Sequence, residues 1–339
     1  MWTRTVTLAA VVVSVTSLSS FVAVPAKDAG IAHVQLDADG LSIAIAAGAG
    51  AVWVLSGNND QTWVERINPR TRRVTAKIGV PFGSESLAAG EGAVWVWDVI
   101  GATLVRIDPA RNRVVSRIRH LGVEADALVV GDHSIWAAGL NDRAPDPTTS
   151  SVVERIDPVT ESVTARIPVS GDEVDAMAAG DGSVWVGTYI DPGMTDPFNF
   201  DAKAYSVMTR IDPATNTVRS TVESRKQRSD LADTPDAAMA DGAQGLAIES
   251  GSLWRIDDTT RAWVRIPGLR FSCDCAMTPA EPGTLWASDL GAARVLHISL
   301  ATGTLDRSVR VEGPSGVAVG FGKVWVADQT TKSVVVLTE

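Results

Sequence analysis

Residues 92–109, GAVWVWDVIGATLVRIDP, hold two tryptophans, one arginine and one Asp-Pro pair in eighteen residues. A near copy lies downstream, as GSVWVGTY from Gly182 and MTRIDP from Met208. The stretch is either a site with chemistry in it or a structural unit that the chain repeats. Aligned on the central residue of VWV, tryptophans recur at Trp53, Trp95, Trp136, Trp185, Trp286 and Trp325. Between Trp185 and Trp286, AMADGAQGLAI (238–248) matches AMAAGDGSVWV (176–186), which puts Ala247 in the tryptophan slot and Trp254 in the following segment, LWRID. The spacings are then 42, 41, 49, 62, 39 and 39, a unit of about forty residues repeated seven times with two insertions.

Each unit has the same plan. A short apolar segment leads through Gly-x-Gly into VWV, a polar turn follows, and LVRIDP and VVSRI complete the unit. The apolar runs are four to six residues long, rich in β-branched residues and bounded by Gly, Asn or Asp-Pro, which are strand and turn signals. Asp-Pro supplies a turn-forming acceptor followed by a residue of restricted φ, as a type I turn requires. Four strands per unit, seven units and no helical periodicity predict an all-β, seven-bladed β-propeller. The last unit stops one strand short, whereas residues 31–37 (IAHVQLD) form a spare strand ahead of the first. This N-terminal strand is expected to complete the last blade and close the ring, removing a sheet edge.

Blades pack face to face, so the repeated tryptophan reads as packing, burying on the order of 150–250 Å². Arg66, Arg106, Arg155, Arg210 and Arg255 occupy equivalent strand positions, and a single active site has no use for five copies. Each guanidinium is expected to span the gap to the next blade and find a carboxylate or carbonyl there. His297 lies eleven residues after Trp286, as Arg106 does after Trp95, and so fills an arginine slot.

Repeats of the form VWV…RIDPxTxxVxxxI, with Gly-x-Gly before VWV, resemble the YVTN-type, YncE-like β-propeller family of exported bacterial proteins. The resemblance covers nearly all of residues 31–339 and implies a binding or surface module with no shared catalytic motif. More distantly, the chain is similar to streptogramin B lyases, seven-bladed propellers whose repeats read WFTE-like where this chain has VWV. Their catalytic His and Glu find no matching motif here.

Residues 1–26 read as an export signal. Arg4 is followed by an apolar Leu/Ala/Val run, and Val24-Pro25-Ala26 offers a small-residue cleavage site. Residues 27–339 are then one propeller domain, and the expected location is secreted, periplasmic or extracellular. Nothing later in the chain has the length of an apolar membrane span. Loss of the signal removes one Arg and no acid, taking the formal charge from −10 to −11. That charge repels polyphosphate, so no nucleic-acid partner is expected. The mature protein is expected to be a monomer.

In a propeller, the loops between blades share a face with those between second and third strands, around the mouth of the central channel. The long insertions, residues 140–150, 188–205 and 224–237, all fall on that face, and long loops on a rigid scaffold are where binding concentrates. Ten residues before each tryptophan slot lie Ile43, Glu85, Asp126, Asp175, Ala237, Ala276 and Ser315. Three neighbouring blades therefore place a carboxylate at the channel rim, and two positions earlier come Glu124, Glu173 and Asp274. Such a cluster repels itself unless a cation relieves it. Glu85, Glu124, Asp126, Glu173 and Asp175 are thus candidate ligand contacts. Glu85, Asp126 and Asp175 would suit Ca²⁺ or Mg²⁺, or a cationic ligand, and the alternative is a solvated acidic rim. His120, in the loop leading to Glu124, is the candidate general base.

FSCDCAM (271–277) puts Cys273, Cys275 and Met277 at alternate positions, on one side if extended. Three sulfurs could hold Cu(I). The cysteines could instead form a strained disulfide, although alternate strand residues exceed comfortable bridging distance, or they could be inert buried thiols. The reading favoured is non-enzymatic binding of a small molecule, ion or protein at the channel face. The alternative is a divalent-cation-dependent lyase or lactonase.

Overall fold

The computed structural model describes residues 31–338 apart from residues 38, 120, 142–150, 192–203, 225–236, 242–243, 274 and 281. Residues 1–26, His120, Asp274 and the greater part of the three insertions lie outside the described residues. Every regular element described is a β-strand, in seven antiparallel sheets of four. Blade one is representative: inner strand Leu41–Gly48, then Ala51–Gly57, Thr62–Asn68 and outer strand Arg73–Val80, paired in chain order. Successive inner strands touch one another in turn, and the last, Pro314–Gly320, returns to the first. The sheets thus form a closed ring, a seven-bladed β-propeller.

Closure uses the N-terminal strand, as the sequence leads one to expect. Ile31–Gln35 pairs antiparallel with Ser333–Thr338, Ile31 opposite Leu337 and Gln35 opposite Ser333. Val34 and Leu36 are buried in one cluster with Trp325, Val334 and Val336. The first and last described strands therefore share a blade, and Ser333–Thr338 is paired on both sides.

The repeated tryptophan and arginine form the joint between blades. Trp53, Trp95, Trp136, Trp185 and Trp325 are fully buried. The indole N–H of Trp53 donates to Gly48 O (3.0 Å) and that of Trp325 to Gly320 O (3.0 Å), so each ring caps the end of its own inner strand. In the sheet the arginine lies directly opposite the tryptophan, as Arg66 does Trp53 and Arg106 does Trp95. The Arg66, Arg106 and Arg155 guanidinium carbons stand 5.3, 5.5 and 5.1 Å from the ring centroids they cover, within cation–π range. Each then reaches the next blade. Arg66 Nη1 donates to Pro109 O and Asn112 Oδ1, both 2.8 Å, while Arg106 Nη1 pairs with Glu161 at 2.8 Å. Arg155 Nη1 meets Pro213 O and Asn216 Oδ1 in the same manner. His297 fills the slot in blade six, its ring 4.9 Å from that of Trp286.

Turn chemistry agrees with the motif. Asp157 Oδ1 accepts the N–H groups of Val159 (2.7 Å) and Thr160 (2.8 Å), and Asp257 Oδ1 accepts those of Thr259 and Thr260. The N–H of Thr160 holds the Asp157 carboxyl below its ordinary range, and that of Thr260 does the same for Asp257. The two glycines of Gly-x-Gly have separate reasons. Gly50 has φ +79°, while a Cβ on Gly48 would stand 2.3 Å from Ala89 O of the neighbouring inner strand.

Blade five departs from the expected alignment by one residue. Its inner strand closes with Asp241 opposite Gln244, whereas blade four closes with Gly180 opposite Ser183. Two residues beyond the hairpin stands Leu246, which pairs with Arg255 and packs toward blade six. Leu246, not Ala247, therefore occupies the tryptophan slot. The hairpin turns one residue earlier than the aligned glycines suggest.

Two consequences can be measured. Deleting residues 27–38 exposes the buried edge of Ser333–Thr338 and loses the burial of Val34 and Leu36, a cost of several kcal/mol at ~1.5–3 kcal/mol per side chain. At ~2–4 °C per kcal/mol, the melting temperature should fall by roughly 10 °C, and an unchanged value sinks the closing-strand account. Gly48→Ala should destabilise by about 1–3 kcal/mol through forced separation of two backbones, measured by denaturant unfolding.

Candidate functional site

The count of ten from each tryptophan lands on a local irregularity in the backbone. In blades one, two, three, four and seven, the pairing of the inner strand slips between Ser42 and Ala44, Ser84 and Ser86, Ala125 and Ala127, Val174 and Ala176, and Pro314 and Gly316. The skipped residues are Ile43, Glu85, Asp126, Asp175 and Ser315. Each is a β-bulge, which leaves its residue outside the ladder and re-aims its side chain. Blade six has no slip: Ala276 lies opposite Ser288 and its N–H donates to Ser288 Oγ at 3.0 Å. In blade five, ten residues before Leu246 is Asp236, which lies outside the described residues.

The bulges ring the mouth of the central channel. A cavity of about 280 Å³ there is lined by Glu85, Asp175, Leu87, Leu128, Met177 and Cys275, among others. Blades two and four thus bring their carboxylates to one cavity. Blade three contributes the wall from Ala127 to Val129, with Asp126 on the exposed bulge beside it. Glu173 is exposed at the rim, its backbone opposite Tyr189. The Glu124 backbone lies opposite Leu140, and its side chain is outside the described residues. Among the described residues, no three His, Cys, Asp or Glu side chains are grouped closely enough to hold a metal ion.

Deeper on the axis, a second cavity of about 280 Å³ is walled by consecutive inner-strand residues, including Ala46, Ala88, Val129, Ala178, Thr278 and Ala318. Three successive residues from each of six blades reach it, as a backbone edge does and a row of alternating side chains does not. Each inner strand ends its sheet, so its second edge turns its N–H and C=O groups toward the channel. The channel therefore joins an acidic mouth to a narrow wall of small residues and backbone polar groups.

FSCDCAM is not extended throughout. The inner strand of blade six begins at Cys275 (Cys275–Pro279), and Cys273 precedes it with φ +40°. The turn lays the Cys273 side chain against that of Cys275, with the two Sγ atoms 2.6 Å apart. The expected alternation fails because a left-handed residue stands where an extended one was assumed. Cys275 and Met277 line the same cavity as Glu85 and Asp175. Sequence reasoning treated these two groups separately, although the ten-residue count had placed Ala276, between the two sulfurs, in the ring.

No protein-family model matches the sequence, and no curated protein matches it. The fold is similar to a solved structure of hydrazine synthase from Kuenenia stuttgartiensis, with TM-score 0.65 and 13% identity over 91% of this chain and 98% of that one. It is similar to a streptogramin B lyase structure to the same degree, with TM-score 0.64 and 13% identity over 91% of this chain and 97% of that one. At such identity the likeness is one of fold: the chain shares a β-propeller with proteins of unrelated activity.

Proposed function

We propose that this is an exported binding protein of the YVTN-type, YncE-like kind, which takes a small organic cation at the mouth of its central channel. The observation that carries the reading is the cavity in which Glu85 and Asp175 meet Leu87, Leu128 and Met177. Two carboxylates fixed on backbone bulges supply charge and direction, and the aliphatic wall supplies burial for an apolar body. A volume of about 280 Å³ lies near the lower end of ligand pockets, which run from about 300 to 1,000 Å³, so the fit is to a small molecule rather than to a polymer segment. Export is supported by residues 1–26, and among the described residues no helix is long and apolar enough to cross a membrane.

The competing reading is a lyase or lactonase that works through a divalent cation. It needs Glu85, Asp126 and Asp175 to converge on one ion, and the geometry of the described residues does not group three such ligands. The cation-binding reading needs only the two carboxylates that share the cavity.

Benzyltrimethylammonium is a suitable probe, with one fixed positive charge on an apolar body. Titration calorimetry should give binding to the wild type and at least a tenfold loss of affinity in E85Q/D175N, with no heat from benzyl alcohol. Equal affinity in the double variant overturns the assignment, and saturable Ca²⁺ heat lost in the same variant would instead favour the metal-dependent reading. For export, the protein recovered from the periplasm or medium should begin at Lys27. Recovery from the cytosol with Met1 intact would refute it.

A further inference from the structure

We propose that Cys273 and Cys275 form a redox-active dithiol at the channel mouth, which exchanges with small-molecule disulfides. This goes beyond the cation-binding reading and does not depend on it.

The two Sγ atoms lie 2.6 Å apart. Thiolates that share one metal ion at ~2.3 Å in tetrahedral geometry stand roughly 3.7 Å from each other. The pair is therefore closer than chelation brings two ligands. A bond of roughly 2.05 Å is reached by a shift of about half an ångström. The approach is built in. Cys273 adopts φ +40°, and the backbone on both sides is clamped. On one side, Phe271 N–H donates to Gly251 O at 3.0 Å and Ser272 N–H to Asp289 Oδ1 at 2.9 Å. Asp289 is itself fully buried and held by Arg294 Nε at 3.0 Å. On the other side, Ala276 N–H donates to Ser288 Oγ. Glycines let the segment sit this deep, since a Cβ on Gly291 would stand 2.5 Å from Ser272 O and one on Gly251 2.6 Å from Phe271 O.

Such a bond is a poor staple. It closes a loop over a single intervening residue, so it removes little entropy from the unfolded chain. Constrained, accessible disulfides are instead the readily reduced, exchanging kind. The two sulfurs differ in access, which assigns their order. Half-buried Cys273 is the entering thiol, and buried Cys275 is the resolving one.

In the first step the Cys273 thiolate attacks one sulfur of a disulfide RS–SR, forming Cys273–S–S–R and releasing RS⁻. In the second, the Cys275 thiolate attacks the Cys273 sulfur, forming the intramolecular bond and releasing the second RS⁻. Two electrons pass from the protein dithiol to RS–SR. The two protons lost by the cysteine thiols are taken up by the released thiolates. In reverse, two small thiols reduce the pair. Oxidising compartments hold small disulfides of this class.

The test equilibrates the full-length chain in glutathione buffers of increasing oxidised fraction, then quenches with acid, alkylates and weighs it. The wild type should pass from two alkylated thiols to none, without a lasting glutathione adduct and without change in tryptophan fluorescence. Cys275→Ser should accumulate the mixed disulfide on Cys273 at least tenfold above wild type, and Cys273→Ser should leave Cys275 alkylatable after denaturation. Two thiols that stay alkylatable in excess oxidised glutathione overturn the proposal, as do stable adducts on the wild type. If the thiols stay reduced and one Cu(I) is taken up only while Met277 is intact, the three sulfurs form a soft-metal site and the proposal is wrong.

Discussion

Burial of both faces of the middle strands of every blade is the constraint on which the rest of this structure depends. An arginine in the third strand is half-buried there, and its guanidinium has to find acceptors in the joint. The pairing with tryptophan solves this locally. The indole caps its own inner strand through its N–H, its face carries the guanidinium, and the guanidinium tip crosses to a carbonyl or carboxylate of the next blade. One cross-strand pair thus fixes the end of a strand, fills the joint and sets the spacing of its neighbour. Repetition around a ring makes each joint depend on the next, and for this reason the last blade borrows its fourth strand from the N-terminus.

The same constraint determines where ligand chemistry can be placed. Side chains on inner strands point into the joints, where they pack as Ala, Val, Leu and Met. Regular pairing leaves only backbone facing the axis. A bulge is the device that frees a side chain from this alternation, and five blades use one at the same height. The carboxylates of Glu85 and Asp175 are thereby presented from a ladder paired on both sides of the slip, a rigid mounting rather than a loop. Rigidity matters because two like charges facing one cavity gain nothing from collapsing together.

Much of this was legible in the residues. The spacing of VWV and RID gave blade number, strand order and the missing strand, because packing at a repeated joint demands the same side chains at each turn of the ring. The count of ten found the bulge positions without revealing that they were bulges, since an extra residue leaves no mark in composition. The place of Leu246 is hidden for a related reason: a hairpin of the same length that turns one residue earlier leaves no mark in the aligned glycines, and only pairing shows that Leu246, not Ala247, faces Arg255. The turn at Cys273 is hidden because a left-handed φ at a non-glycine residue leaves no mark in the sequence. The union of Cys275 with Glu85 and Asp175 joins residues 190 and 100 positions apart, and no local pattern carries that.

Blade five shows how the joint tolerates loss of its signature. Leu246 fills the tryptophan slot on the side facing blade six, packed with Leu269 and Phe271, while two further rings lie on the opposite side. Trp254 and Trp263 meet edge to face at 6.3 Å and 68°, packing back toward Trp185 of blade four. Gly245 accommodates that approach, since a Cβ there would stand 2.7 Å from the Trp185 ring. The indole N–H of Trp263 donates to Val222 O of blade four at 3.1 Å, doing across the joint what Arg66 does elsewhere. Aromatic volume and an inter-blade hydrogen bond are thus added to the joint with blade four, which already holds Trp185. The joint between blades five and six is filled without a tryptophan, by Leu246, Leu269 and Phe271. Filling of the gap, rather than the tryptophan itself, is what this joint retains.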